Sequence, residues 1–282
     1  MNFIRRHEVW VFLSLLVLSN ALFVTLIMKG VLPEGVYGMG RFALLGSLLF
    51  GLILLVRGWS GLREMLRPMV EWRRSPVLYL FAMGWTIAIC IVVLTLKGFV
   101  TGDFLTVSEL AAGLSGLAHP KLLITLLVSS FIGEIVWVSY ALRKLSEKLT
   151  LYLSGLIVGV FWTLWWLPMS IYNFGIIPDL PILALLFNQM GIAVMCAFVY
   201  HHTRSGFLVL VMQLVFNGTI LVFPVTPGEG GANTYWAFAL SYFTAATLLF
   251  LRFGPGPMLF RRRKGVEGAP ASPEGDAHLF GH

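Results

Sequence analysis

Glu134 is the one carboxylate of this chain deep inside an apolar segment; the other twelve acidic residues fall near segment ends, in loops or toward the C-terminus. A chargeable group at membrane depth costs about 3 kcal/mol on insertion scales, so it is normally paired and often has a task. The chemistry open to it is proton transfer, with the carboxylate acting as a general base toward a water. None of the six histidines falls in the middle of such a segment. Two other pairs have helical spacing, Trp162 with Trp166 and Gln213 with Asn217, each four residues apart and therefore on one helix face. Glu134 and the two pairs belong to three segments, 129–145, 155–172 and 203–219. These faces are expected to converge inside a helix bundle.

The elements that must position them are membrane helices. Of 282 residues, 58% are hydrophobic and 12% charged, where a soluble domain carries about 25% charged residues. Apolar stretches long enough to cross about 30 Å of hydrocarbon run over 9–28, 42–56, 77–96, 122–142, 151–172, 182–200, 207–223 and 235–251. The first follows Arg5 and Arg6, as a signal peptide would. Its apolar run is too long for that and no small-residue cleavage site follows, so it reads as a first span.

Eight crossings put both ends on one side. Sixteen of the 20 lysines and arginines fall on that side: Arg5 and Arg6, five arginines between Arg57 and Arg74, Arg143, Lys144, Lys148, Arg204, Arg252, and the run Arg261 to Lys264. Lys29, Arg41, Lys97 and Lys121 fall on the other. The positive-inside rule then places both termini in the cytoplasm. Residues 57–74 interleave arginines with Trp59, Leu62, Met65, Leu66 and Trp72, a pattern of either an interfacial helix or an ordinary basic loop. Residues 1–255 form one expected bundle domain. Residues 256–282 form a basic and then small, polar, proline-rich tail expected to be disordered. Cys90 and Cys196 fall in apolar segments and read as inert buried thiols.

The three segments resemble the three motifs of the CAAX prenyl protease and bacteriocin-processing family, the CPBP intramembrane proteases. That resemblance implies an eight-helix bundle that cleaves peptides near the membrane, with a glutamate and two histidines activating water. The family's first motif is Glu-Glu with an Arg four residues on. Here Gly133 stands at the first Glu, Glu134 matches the second, Trp137 matches the aromatic, and Val138 replaces the Arg. In the second motif Trp162, Trp165, Leu167 and Pro168 match, and Trp166 occupies the His position. In the third, Gln213 occupies the His position and Asn217 matches the Asn. The resemblance covers about residues 122–219.

These substitutions remove the proton acceptors. Tryptophan accepts no proton, glutamine is a poor base, and neither ligates zinc well. Glu134 alone remains, with no Arg at position 138, and burial favours its neutral form, which cannot act as a base. The Gln213 and Asn217 amides are then expected to hydrogen-bond Glu134, and Trp166 to fill the volume once open to water and substrate. Three signals compete. Gly113-Leu-Ser115-Gly116 with His119 matches the serine-protease pattern of rhomboids but lies in a loop before the fourth span. Asp103 and Asp179 lie in loops, which excludes an intramembrane aspartyl pair. Gly155 and Gly159 have the spacing of a close helix contact, expected to pack the bundle, and Asn188 with Gln189 a polar bridge between helices.

The reading is an all-α polytopic bundle, integral to a bacterial cytoplasmic membrane. It lacks catalysis, metal and cofactor, and serves as a membrane binding or scaffolding protein. Its partners are the lipid bilayer and a membrane peptide or partner helix; no motif points to nucleic acid. A divergent peptidase using Glu134 and a transporter or channel subunit are the rivals.

Overall fold

The computed structural model describes residues 7–175 and 177–259, and among these every regular element is helical. Helices α1 (Glu8–Met28), α2 (Tyr37–Leu66) and α3 (Pro76–Thr101) lead to a short α4 (Val107–Leu117). Next come α5 (Pro120–Ser146), α6 (Leu151–Tyr172), α7 (Ile182–Thr203), α8 (Gly206–Val222) and α9 (Ala232–Phe253). All but α4 are long and apolar enough to span a bilayer, so the chain is a multi-pass membrane protein with eight candidate spans. They coincide with the eight apolar stretches of the sequence. Arg5, Arg6 and residues 260–282, with most of the expected tail, lie outside the described residues.

Helix α7 is the hub. Ten consecutive residues, Gly191 to Tyr200, are buried, because neighbours close on it from two sides. On one side a Cβ added to Gly159 of α6 would lie 2.4 Å from the Met190 Cα, and one on Gly155 would lie 3.1 Å from the Val194 Cα. On the other, a Cβ on Gly191 would lie 2.9 Å from the Phe243 backbone nitrogen of α9. Small residues thus let backbones touch, the usual source of helix association in lipid. The Gly155–Gly159 pair packs the bundle internally, as its spacing suggests.

One end of the bundle is tied by a carboxylate cluster. Arg57 of α2 pairs with Glu8 of α1 at 2.7 Å, and the Tyr140 hydroxyl of α5 donates to the other Glu8 oxygen at 3.0 Å. Directly after Arg57 the helix breaks at Gly58 (φ +65°), a conformation that favours glycine. The chain then runs on as a basic, aromatic segment with Trp59 and Trp72 exposed. That segment is docked at the α7–α8 turn: the Arg74 Nε donates to the Thr203 carbonyl at 2.6 Å, and the Ser205 hydroxyl donates to the Glu71 carbonyl at 2.5 Å.

A methyl group at Gly159 meets backbone that cannot yield, so Gly159→Ala is expected to destabilise the fold by about 2 kcal/mol. Gly84→Ala, where nothing lies within 4 Å, is expected to be neutral or slightly stabilising through helix propensity. Equilibrium unfolding of both variants in mixed detergent checks the contrast.

Candidate functional site

Helix α5 begins as an α-helix and changes at Glu134, where nine residues, Glu134–Leu142, adopt π-helical hydrogen bonding. Single-turn π-bulges are the usual form of this geometry, so a nine-residue run is unusual, and such bulges are frequent at functional sites. In this geometry residue i+5, not i+4, lies over residue i. The Ser139 hydroxyl therefore donates to Glu134 Oε1 at 2.8 Å, while Val138 is core, 1% exposed. Just past the run, Arg143 donates to the Ser139 carbonyl at 3.3 Å.

Glu134 is fully buried and packs beneath the turn Arg67–Val70. A Cβ added to Gly206, at the start of α8, would meet Glu134 Oε1 at 2.9 Å, Met69 Sδ at 3.0 Å and Pro68 Cβ at 3.2 Å. Its Oε2 has no hydrogen-bond partner among the described residues. The Gln213 and Asn217 amides do not bond it, contrary to expectation. Asn217 Nδ2 donates to the Ser130 hydroxyl at 2.9 Å, and the Gln213 side chain sits beside the Cys196 thiol. Consecutive helix residues point about 100° apart, so Glu134 leaves the face that its neighbour Gly133 presents to α8.

That face forms one wall of a cavity of about 120 Å³ between α5, α6, α7 and α8. Leu122, Leu126, Ser129 and Gly133 line it along α5, opposite Gln213, Asn217 and Leu221 on α8, each series at helical spacing. At the deep end a Cβ on Gly133 would lie 3.1 Å from Gln213 Oε1. Trp162, Trp165 and Trp166 of α6 close a third side, and Asn188, Gln189 and Ile192 of α7 the fourth. Trp162 stacks on Trp137 with ring centres 5.3 Å apart and planes 16° apart. Trp166 lines the space and leaves it open, so the expectation that it fills the volume is corrected. Gly133, Trp162, Trp166, Gln213 and Asn217 thus share one slot, whereas Glu134 and Val138 stand outside it.

Among the described residues the slot lining carries no Asp, Glu, His, Cys, Lys or Arg. Nor do any three His, Cys, Asp or Glu side chains elsewhere cluster closely enough to hold a metal ion. The metal or histidine chemistry of the proteases that the motifs resemble does not fit these residues. Ser115 is exposed and its hydroxyl donates to the Ala112 carbonyl of its own helix, which leaves the rhomboid-like pattern without a built site. Asn188 Nδ2 reaches the Tyr235 hydroxyl at 3.4 Å, bridging α7 and α9 as its position suggests.

Sequence reasoning missed Arg41, which it placed at a loop. The side chain is 3% exposed and caged by aromatic rings, with its guanidinium carbon 3.6 Å from the Trp165 ring centre and 4.6 Å from that of Trp166. Its Nη1 donates to the Tyr37 hydroxyl at 2.6 Å and reaches Met169 Sδ, while Nε and Nη2 have no hydrogen-bond partner among the described residues. Stacking on the indoles replaces a counter-ion here. The available signal was Trp165–Trp166 near the end of α6, a pair able to receive a planar cation.

No known family's sequence model matches this chain, and no curated protein matches it either.

Lysine cannot stack as a planar fork. Arg41→Lys is therefore expected to destabilise by about 1–2 kcal/mol, and Arg41→Met, which removes the buried charge, by less. Unfolding followed by tryptophan fluorescence separates the two.

Proposed function

We propose that this chain is a non-catalytic relative of the CPBP intramembrane proteases that acts as a membrane binding or scaffolding protein. It lies in a bacterial cytoplasmic membrane with both ends in the cytoplasm, and holds its ligand in the slot between α5 and α8. The observation that supports this best is the division of the old motif positions. Gly133, Trp162, Trp166, Gln213 and Asn217 line one cavity, and the single acid that could strip a proton from water is outside it. A general base must come within hydrogen-bond reach of the proton it removes. Here the surfaces that would hold a substrate and the group that would attack it have separated. The resemblance supplies the frame, and the substituted positions supply the loss of hydrolysis.

Purified protein in lipid vesicles, incubated with a library of membrane-compatible peptides, is expected to release no fragments, and Glu134→Gln is expected to behave identically. Turnover by the native chain that vanishes in Glu134→Gln would overturn the reading in favour of a peptidase using Glu134.

A further inference from the structure

Four polar atoms on the slot lining have no hydrogen-bond partner among the described residues. They are Asn188 Oδ1 and Gln189 Oε1 on α7, Gln213 Nε2 on α8, and Trp166 Nε1 on α6. Asn188 and Gln189 are 5% exposed and Gln213 is 3% exposed. Buried polar groups in native proteins are almost always bonded, so a cluster of exceptions around one cavity indicates a bonding partner that comes from outside the chain. The set contains both acceptors and N–H donors, and each amide keeps one of each whichever way it is turned.

The lining sets the charge and the mouth sets the route. No charged side chain lines the slot, and the Arg41 guanidinium lies behind the Trp165 and Trp166 rings, so an ionised head would enter without a counter-charge in contact, which disfavours it in a dry bundle. Leu122, Thr125 and Ser129 on α5 and Asn217, Ile220 and Leu221 on α8 are half-buried, so one side of the slot opens between these two helices; Phe42, Trp162, Trp166 and Ile177 on the opposite side are half-buried too. Beside the α5–α8 opening, on α5, Leu123, Ile124 and Leu127 are 41%, 55% and 53% exposed, as lipid-facing residues are. A ligand that passes between α5 and α8 arrives sideways from the bilayer. A helix about 10 Å across does not enter a cavity of about 120 Å³, whereas a single chain end does.

We propose that the slot binds the uncharged head of a neutral lipid, one carrying a hydroxyl donor and a carbonyl acceptor, as diacylglycerol does. This rests on the non-catalytic binding reading above and narrows its ligand. The hydroxyl donates to the side-chain oxygen of Asn188 or Gln189. The carbonyl accepts from Gln213 Nε2 or Trp166 Nε1, and the acyl chain leaves between α5 and α8.

The test uses the full chain in phosphatidylcholine vesicles. Trp137, Trp162, Trp165 and Trp166 line the slot, so diacylglycerol brominated on its acyl chains is expected to quench tryptophan emission more than an equal amount of equally brominated phosphatidylcholine. Unbrominated diacylglycerol should relieve the excess, and phosphatidic acid should not. Asn188→Leu and Gln213→Leu should each shift the titration midpoint about threefold or more. Equal quenching by the two brominated lipids overturns the proposal, as does equal relief by phosphatidic acid; neither comparison depends on a variant folding. If a capped hydrophobic peptide relieves the excess better than diacylglycerol does, the lipid assignment fails while non-catalytic binding stands. Peptide cleavage during the same incubation would instead remove the reading beneath it.

Discussion

The residue that covers the buried Glu134 carboxyl follows from helix period. Had α5 remained an α-helix, the residue four positions on would stack over the carboxylate. The π-helical run replaces that neighbour with Ser139, five positions on, and sends Val138 into the core. The carboxyl group ends beneath the Arg67–Val70 turn, against Gly206. Gly133, one residue earlier and still α-helical, faces the slot. With the acid outside the cavity lined by Gly133, Trp162, Trp166, Gln213 and Asn217, the π-helical run decides which residue covers it. It also gives the acid a partner, which a buried chargeable group in lipid requires.

The slot persists because the helices around it are fixed by contacts elsewhere. The α6–α7 and α7–α9 approaches are set by Gly159 and Gly191, where backbone meets backbone. At one end of the bundle Glu8, Arg57 and Tyr140 hold α1, α2 and α5 together. Arg41 fixes the indoles of Trp165 and Trp166 from behind, and Trp137 fixes Trp162 by stacking. The tryptophans are therefore walls held by their own partners and are not free to collapse inward. What remains between them is apolar space with unpaired amide groups, a lining built for hydrogen bonding without charge.

Most of the architecture was legible in the sequence. Eight apolar runs give eight long helices, because run length and charge depletion report membrane crossing directly. The convergence of Trp162, Trp166, Gln213 and Asn217 was legible too, since i, i+4 spacing holds on α6 and α8, whereas Gly133 joins them in place of Glu134. Glu134 was misread because its neighbour Gly133, about 100° around the helix, faces the slot instead, and its Ser139 partner was hidden because no composition signal marks a π-helix. Arg41 was misread because a basic residue at the edge of an apolar run looks like a loop residue. Only the three-dimensional neighbours Tyr37, Trp165 and Trp166 reveal that it is enclosed.

An experimental density map of the protein in lipid, fine enough to place side chains and ordered solvent, bears on the central claim most directly. The expected map shows the Glu134 carboxyl against Ser139 beneath the Arg67–Val70 turn, with no carboxylate in the space between Gly133, Trp166 and Gln213. A map in which Glu134 turns into that space, with an ordered water or metal ion held between it and Gln213, would contradict the account.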